Sequence, residues 1–186
     1  WDTVFHFKFY IFYFTFYILL LVYPFSFLSI YSRPITRVSA SEWIYNNIPK
    51  GSVLTYEHWD DALPLGLKEN NSSFYFLLEL PLFAPDNDDK WKDINDKLKK
   101  ADYIIMSSNR LYGPIPKNPD FYPVSTKYYQ SLFDGTSSFK KVAEFTSRPC
   151  FPPIGKPIFC FNDDNSEEAF TVYDHPKVII FKKFKP

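Results

Sequence analysis

Glycine is scarce in this chain, with five residues in 186. Average usage is about 7%. So few glycines exclude a collagen-like chain, a Gly/Ser linker and a Gly-rich phosphate loop. Cysteine is scarcer still: Cys150 and Cys160 alone cannot make a disulfide scaffold. Neither sign of charge is in excess. The 21 Lys and Arg balance 21 Asp and Glu, so a generally basic nucleic-acid-binding surface has no support and no nucleic-acid partner is expected. There is no G-x-S-x-G elbow and no H-E-x-x-H metal helix. The three histidines, His6, His58 and His175, leave no pair at metal-ligand spacing. No internal repeat is present.

What the chain has is aromatic carbon: 21 Phe, 14 Tyr and 4 Trp, within a 46% hydrophobic composition that excludes a disordered chain. The length suggests one domain and a fraction. The aromatics concentrate at the start. Phe9 to Tyr31 is a run of 23 residues without a charge. A helix rises about 1.5 Å per residue, so about 20 residues cross a hydrocarbon core of about 30 Å. Tyr10, Tyr13 and Tyr17 toward one end, with Tyr23 and Tyr31 toward the other, suit the lipid–water boundary. Pro24 is expected to kink or end the last turns. A signal peptide has a shorter apolar run and a small-residue cleavage site, a buried core helix is seldom this long, and a β-rich aromatic segment is the remaining alternative. The transmembrane reading is preferred for 1–31. His6 and Lys8 before the run, against Arg33 and Arg37 after it, faintly favour a cytoplasmic C-terminal side. A chain that begins at Trp1 rather than Met is expected to be processed or part of something longer.

Residues 32–186 carry 20 basic and 20 acidic side chains and are expected to form one compact soluble α/β domain with a mixed sheet and about three helices. Arg33-Pro34 reads as an extended exit. Ser39-Ala40-Ser41-Glu42 is a capping box, with Ala40, Trp43, Ile44 and Ile48 on one face of the following helix. Ser52–Glu57 is a short strand, and Phe74–Leu80 a strand or buried helical turn. Asp86 or Asp88 starts a second helix with Trp91, Ile94, Leu98 and Ala101 inward, and its late lysines suit the macrodipole. Asp102–Met106 is a buried-type strand, parallel to the first if the helix is a crossover. After a Pro-rich loop from Tyr112 to Pro123, Ser125 is expected to cap a helix holding Tyr129, Leu132 and Phe133, which Gly135 ends. Phe139–Phe145 is a strand, and a Pro-heavy loop, Arg148–Pro157, follows. Ala169–Tyr173 and Val178–Lys182 read as a final hairpin.

The strongest cluster is Glu57-His58-Trp59-Asp60-Asp61, at the carboxyl end of the first strand. The strand ending at Met106 leads into Ser107-Ser108-Asn109-Arg110. Ligands of open α/β sheets bind at the carboxyl ends of strands. If these strands are parallel neighbours, His58, Asp60, Asp61, Asn109 and Arg110 share an edge and suit a hard divalent cation, a sugar or a phosphate. The structural alternative is that Asp60 and Asp61 cap a turn while Arg110 pairs with one of them. His175 suits a turn beside Pro176. Cys150 and Cys160 close a small loop outside the cytoplasm and are ordinary thiols inside it. Asn70-Asn71-Ser72-Ser73 holds two overlapping N-x-S sites. The Lys182-Lys183-Phe184-Lys185 tail is a solvated end.

Several strings occur together: RPITRVSASEWIYNNIPKGSVLTYEHWDDALPL (33–65), ADYIIMSSNRLYGPIP (101–116), PVSTKYYQSLFDG (123–135) with FKKVAEFTS (139–147), and EEAFTVYDHPKVIIFKK (167–183). Their order resembles the C-terminal part of the large bacterial and archaeal membrane proteins of the YYY family, over about Tyr31 to Lys183. Those proteins are similar to dolichyl-phosphate-mannose–protein mannosyltransferases of GT-C architecture. The resemblance implies a lipid-linked sugar transferase working on the outer membrane face, with catalytic acids in an early loop between its first helices. This chain holds neither those helices nor the family's tyrosine run, only Tyr128-Tyr129, so no catalytic residue is carried over. The resemblance also places the domain outside the cytoplasm at the cell membrane, where it is expected to be a non-catalytic module that aids acceptor or sugar binding or covers the active site. Its expected partners are the bilayer, upstream helices of a parent protein, and a glycan or polyprenyl-phosphate sugar. Two alternatives are a structural or partner-docking module and a single-span, metal-assisted hydrolase using the cluster of His58, Asp60 and Asp61.

Overall fold

A computed structural model describes residues 2–67 and 70–184; Trp1 and the tail residue Lys185 lie outside the described residues. In chain order the elements are α1 (Asp2–Tyr31), α2 (Thr36–Asn47), β1 (Val53–Glu57), β2 (Phe76–Leu80), α3 (Asp88–Lys100), β3 (Tyr103–Met106), α4 (Pro123–Phe133), β4 (Phe139–Phe145), β5 (Cys150–Phe151), β6 (Phe159–Cys160), α5 (Glu168–Thr171) and β7 (Val178–Lys183). Contacts divide them into two units. The first is α1 with its exit to Pro34, joined by Ser147–Asn165; the second is Ile35–Thr146 with the chain from Ser166 onward. Composition alone places a single boundary after residue 31. The internal segment 147–165 instead belongs with the helix.

In the first unit, α1 is apolar on every side, and Phe7, Tyr10, Phe14, Leu19 and Phe25 are all exposed. It is long and apolar enough to cross a membrane. Pro24 does not end it; the helix runs on to Tyr31. Pro removes one backbone donor, and Ser26 Oγ donates to the Val22 carbonyl at 2.7 Å within the same turns. Toward its end the helix turns polar, with Ser26 and Ser29 buried. Segment 147–165 packs there. Ser29 Oγ accepts from the Cys150 amide at 2.8 Å, Ser32 Oγ donates to Pro153 O at 2.9 Å, and the Tyr23 and Phe161 rings lie 5.1 Å apart. Cys150 and Cys160 form a disulfide across the β5–β6 pair. Arg148 and Asp164 close the segment with a two-pronged ion pair.

The second unit is a mixed sheet in the order β2-β1-β3-β7-β4. Parallel pairing joins β1 to β2 and to β3, while β7 runs antiparallel to both β3 and β4. Successive side chains of a strand point to opposite faces, and both faces here are covered. Tyr103, Ile105, Val178 and Ile180 pack with Ala40, Ile44 and Ile48 of the α2 side. Ile104, Met106, Ile179 and Phe181 pack with Trp91, Ile94, Tyr129 and Leu132 of α3 and α4. All four residues of β3 are buried for this reason.

The starts of α2 and α4 differ from expectation, while α3 begins at Asp88, one of its two expected starts. α2 begins at Thr36, so the Ser39–Glu42 box lies inside it, and Ile35 precedes it without a side-chain cap. Ser41 bonds back to the Arg37 carbonyl at 2.7 Å and accepts from the Leu65 amide. α3 is capped by Asn87, whose side chain accepts from the Lys90 amide. α4 begins at Pro123 rather than at a Ser125 cap. The expected final hairpin is also absent. Glu168–Thr171 is a helical turn, because β7 already has β3 and β4 on its two edges and offers no edge to a further strand.

Asp86 explains the missing cap of α4. Its Oδ2 accepts from the Val124 and Ser125 amides at 2.7 and 2.9 Å, closing the helix from another loop. Its Oδ1 accepts from Lys90 Nζ, Trp91 Nε1 and Ser125 Oγ. Lys90 and Asp86 each keep only 4% of their side-chain surface exposed. Burial alone raises the Asp86 pKa, but the bonds from Lys90, Ser125 and Trp91 outweigh it and hold the carboxyl below the usual range. Asp86→Ala is expected to cost about 3–5 kcal/mol, because it strands the buried Lys90 cation. Because the folded pKa is depressed, the stability from ionised Asp86 is present above the unfolded value and is lost as pH falls below about 4. Unfolding of the whole chain in detergent, followed by near-UV circular dichroism against pH, checks both.

Candidate functional site

The parallel pairing of β1 with β3 brings the expected loops together. Leu54 aligns with Tyr103 and Thr55 with Ile104, so both strands end at the same sheet edge. Asp60 lies between the loops with 1% of its side chain exposed. Both of its oxygens are 2.7 Å from Ser108 Oγ, and the Ser108 hydroxyl in turn accepts from the Arg110 amide. Arg37, from the first turn of α2, approaches Asp60 at 3.8 Å and Asp61 at 3.0 Å, while its Nε donates to Ser107 O. Ser107 Oγ donates to Asp61 O at 2.9 Å. Burial raises the Asp60 pKa, against the lowering by Ser108, Arg37 and Arg110.

The other named residues take separate roles. Arg110 pairs with Glu168 of α5 at 3.0 Å, not with Asp60 or Asp61, and also donates to the Trp59 carbonyl. Asn109 bonds to Thr171 and to the Ser166 carbonyl. His58 turns toward β2, where Nδ1 pairs with Glu79 Oε1 at 2.7 Å and its ring stacks on Phe83 at 4.5 Å. Among the described residues there is no group of three or more His, Cys, Asp or Glu placed to hold a metal ion. His58 and Asp60 are committed to Glu79 and to Ser108 with Arg37, an arrangement that does not fit the cation expected from the cluster.

Beside Arg110 the edge opens into a cleft of about 620 Å³. Trp59, Phe83, Tyr122 and Tyr173 line it together with Arg110, Glu168 and Asn118. Of the five expected ligand contacts, Arg110 alone lines this cleft. Trp59 and Phe83 rings are 4.6 Å apart, and Arg110 lies 6.0 Å from the Tyr173 ring centre. Trp59 has φ +71°, a left-handed backbone that costs a bulky residue about 1–3 kcal/mol, and it leaves the indole 62% exposed. Sequence reading placed Trp59 in the cluster without a role; its signal was a tryptophan in a loop at a strand's carboxyl end. Tyr173 and Glu168 were concealed by the expectation of a hairpin.

Below the site, Glu57 is buried. Oε1 accepts from Tyr129 Oη at 2.8 Å, and among the described residues Oε2 has no hydrogen-bond partner, as is also true of the buried hydroxyls of Thr55, Thr126 and Tyr128. Burial pushes the Glu57 carboxyl up to about 8, opposed by the Tyr129 bond and reinforced by Asp60. It is therefore held as a neutral acid near pH 7.

No protein-family model, curated protein or solved structure matches the chain.

Two expectations concern stability. Asp60→Ala strands Arg37 and Ser108 and is expected to cost about 3 kcal/mol, whereas the exposed Asp61→Ala costs less than about 1 kcal/mol; parallel thermal melts compare them. For Glu57 the folded pKa lies above the unfolded one. Its contribution to stability is fully present below the unfolded value of about 4.3 and declines as pH rises toward about 8, by up to about 1.4 kcal/mol per unit. Glu57→Gln should flatten that part of the stability–pH curve, measured by denaturant unfolding between the two values.

Proposed function

We propose that this chain is the membrane-anchored C-terminal part of a GT-C-like glycosyltransferase of the YYY kind, whose α/β unit is a non-catalytic extracytoplasmic module for acceptor or sugar binding. The observation that carries the reading is the aromatic cleft at the carboxyl edge of β1, beside Arg110. Trp59 and Arg110 lie within the strings, 33–65 and 101–116, on which the family resemblance rests.

The apolar α1, exposed from His6 to Leu21, supports a membrane crossing. The crossing ends near Tyr23 rather than Tyr31. Segment 147–165 packs against the later turns with an ion-paired Arg148–Asp164, and its backbone polar groups do not suit hydrocarbon. Phe7 to Tyr23 spans about 26 Å as helix, enough for an untilted crossing of a slightly thinned bilayer. The Cys150–Cys160 disulfide supports an oxidising, extracytoplasmic side for the C-terminal part, against the weak count of basic residues. Arg33 and Arg37, which set that count, are engaged by Ser29 and by Asp60 and Asp61.

The isolated chain is expected to show no transfer from a polyprenyl-phosphate sugar; turnover by it alone overturns the non-catalytic assignment. In the complete parent protein, Arg110→Ala should lower kcat/KM by about tenfold, about 1.4 kcal/mol, without loss of folded protein. An unchanged rate in a folded variant removes the module from substrate handling.

A further inference from the structure

The charges in the cleft identify what kind of ligand it admits. Arg110 is the cation that lines it, and Glu168, paired with it at 3.0 Å, lines the same space. Arg110 also gives one N–H to the Trp59 carbonyl. A phosphate is best held by a free, forked guanidinium or by clustered amides. Here the guanidinium is engaged in part, through Nε to Glu168 and Nη1 to the Trp59 carbonyl, and a carboxylate faces any incoming anion. Next to Asn118 and Glu168 in the chain, Lys117 is matched by Glu167 at 3.5 Å. The cleft is therefore close to neutral while remaining polar.

Its remaining chemistry is paired. Donors come from the uncommitted N–H groups of Arg110 and from the Asn118 amide. Acceptors come from Glu168 and from the Asn118 carbonyl oxygen. Aromatic faces lie beside them: Tyr173 is 77% and Trp59 62% exposed. Hydroxyls that both donate and accept, set around a ring with apolar C–H faces, match that combination. A purely apolar occupant would strip water from Arg110 and Glu168 without replacing their hydrogen bonds. The volume of about 620 Å³ falls within the range of about 300–1,000 Å³ of small-molecule sites and gives room for a short saccharide. The left-handed backbone of Trp59 turns a large ring outward at the cleft, although it has neither a glycine's freedom nor a buried seat to compensate.

We propose that the cleft between Trp59 and Tyr173 binds a neutral saccharide, stacked on those rings and held by Arg110, Asn118 and Glu168, and discriminates against phosphorylated sugars. This rests on the sugar-handling reading of the same site and narrows it: the cleft serves the uncharged glycan, not the phosphate end of a lipid-linked donor.

The test uses the full chain in detergent micelles. Tryptophan fluorescence and ligand-observed NMR follow titration with maltose, cellobiose and mannobiose, and separately with glucose 1-phosphate, mannose 1-phosphate and inorganic phosphate. At least one neutral disaccharide should bind saturably, and no phosphate should bind more tightly than it. Trp59→Ala and Tyr173→Ala should each weaken that binding about tenfold with unchanged circular dichroism, about 1.4 kcal/mol. Phe76→Ala, at an exposed ring outside the cleft, should not. Glu168→Gln should improve phosphate binding relative to the neutral sugar. Absence of binding by every neutral disaccharide, tighter binding of a phosphate, or full affinity in folded Trp59→Ala overturns the proposal. The two readings fail separately. If neutral sugars do not bind but Arg110→Ala still impairs the parent transferase, the saccharide assignment falls and the accessory role stands. If neutral sugars bind but the parent is indifferent to Arg110, the reverse holds.

Discussion

The parallel alignment of β1 with β3 is the constraint on which the α/β unit depends. β3 is buried on both faces and hydrogen-bonded on both edges, with β1 on one side and β7 on the other. A strand so enclosed has one permissible register, since a slip of one residue would exchange the side chains meeting α2 for those meeting α3 and α4. The amide of Val53 is held by the Asp102 carboxylate at 2.9 Å just before the two strands run together. Everything at the opposite edge, from Asp60 to Arg110, inherits its position from that register.

Polar groups at this edge largely satisfy one another. Arg37 joins the two loops through Asp60 and Asp61, Ser108 holds both Asp60 oxygens, and Arg110 answers Glu168. A buried carboxylate such as Asp60 persists because a cation and a hydroxyl meet it. The same logic operates between β2, α3 and α4, where Asp86 caps one helix and neutralises a lysine from another. In both places a single aspartate substitutes for contacts that local sequence does not supply.

This distinguishes what was legible in the sequence from what was not. The strands at 53–57, 103–106 and 139–145 were visible because their residues are apolar or alternate, and the helix at 88–100 because its apolar residues recur at helical spacing. The shared edge of the two loops followed from helix-then-strand order. Caps failed where the partner was distant: Ser125 looks like a cap, but the capping oxygen belongs to Asp86, 39 residues away. That His58 reaches Glu79 while Asp60 reaches Ser108 and Arg37 was not legible, because neighbouring loop residues point in different directions. The cleft was invisible because Trp59, Phe83, Tyr122 and Tyr173 come from four separated segments. The affiliation of 147–165 with α1 was also invisible, since nothing in a Pro-rich stretch names its helix.

The backbone of Trp59 sets two pressures against each other. A glycine there would adopt φ +71° freely and remove a large exposed apolar surface, so a screen for thermostability or solubility would favour Trp59→Gly. The same replacement would erase the broadest ring on the cleft. Engineering that optimises the domain for robustness alone would therefore discard the indole early, and a stabilised derivative should not be taken as a faithful guide to what the native edge recognises.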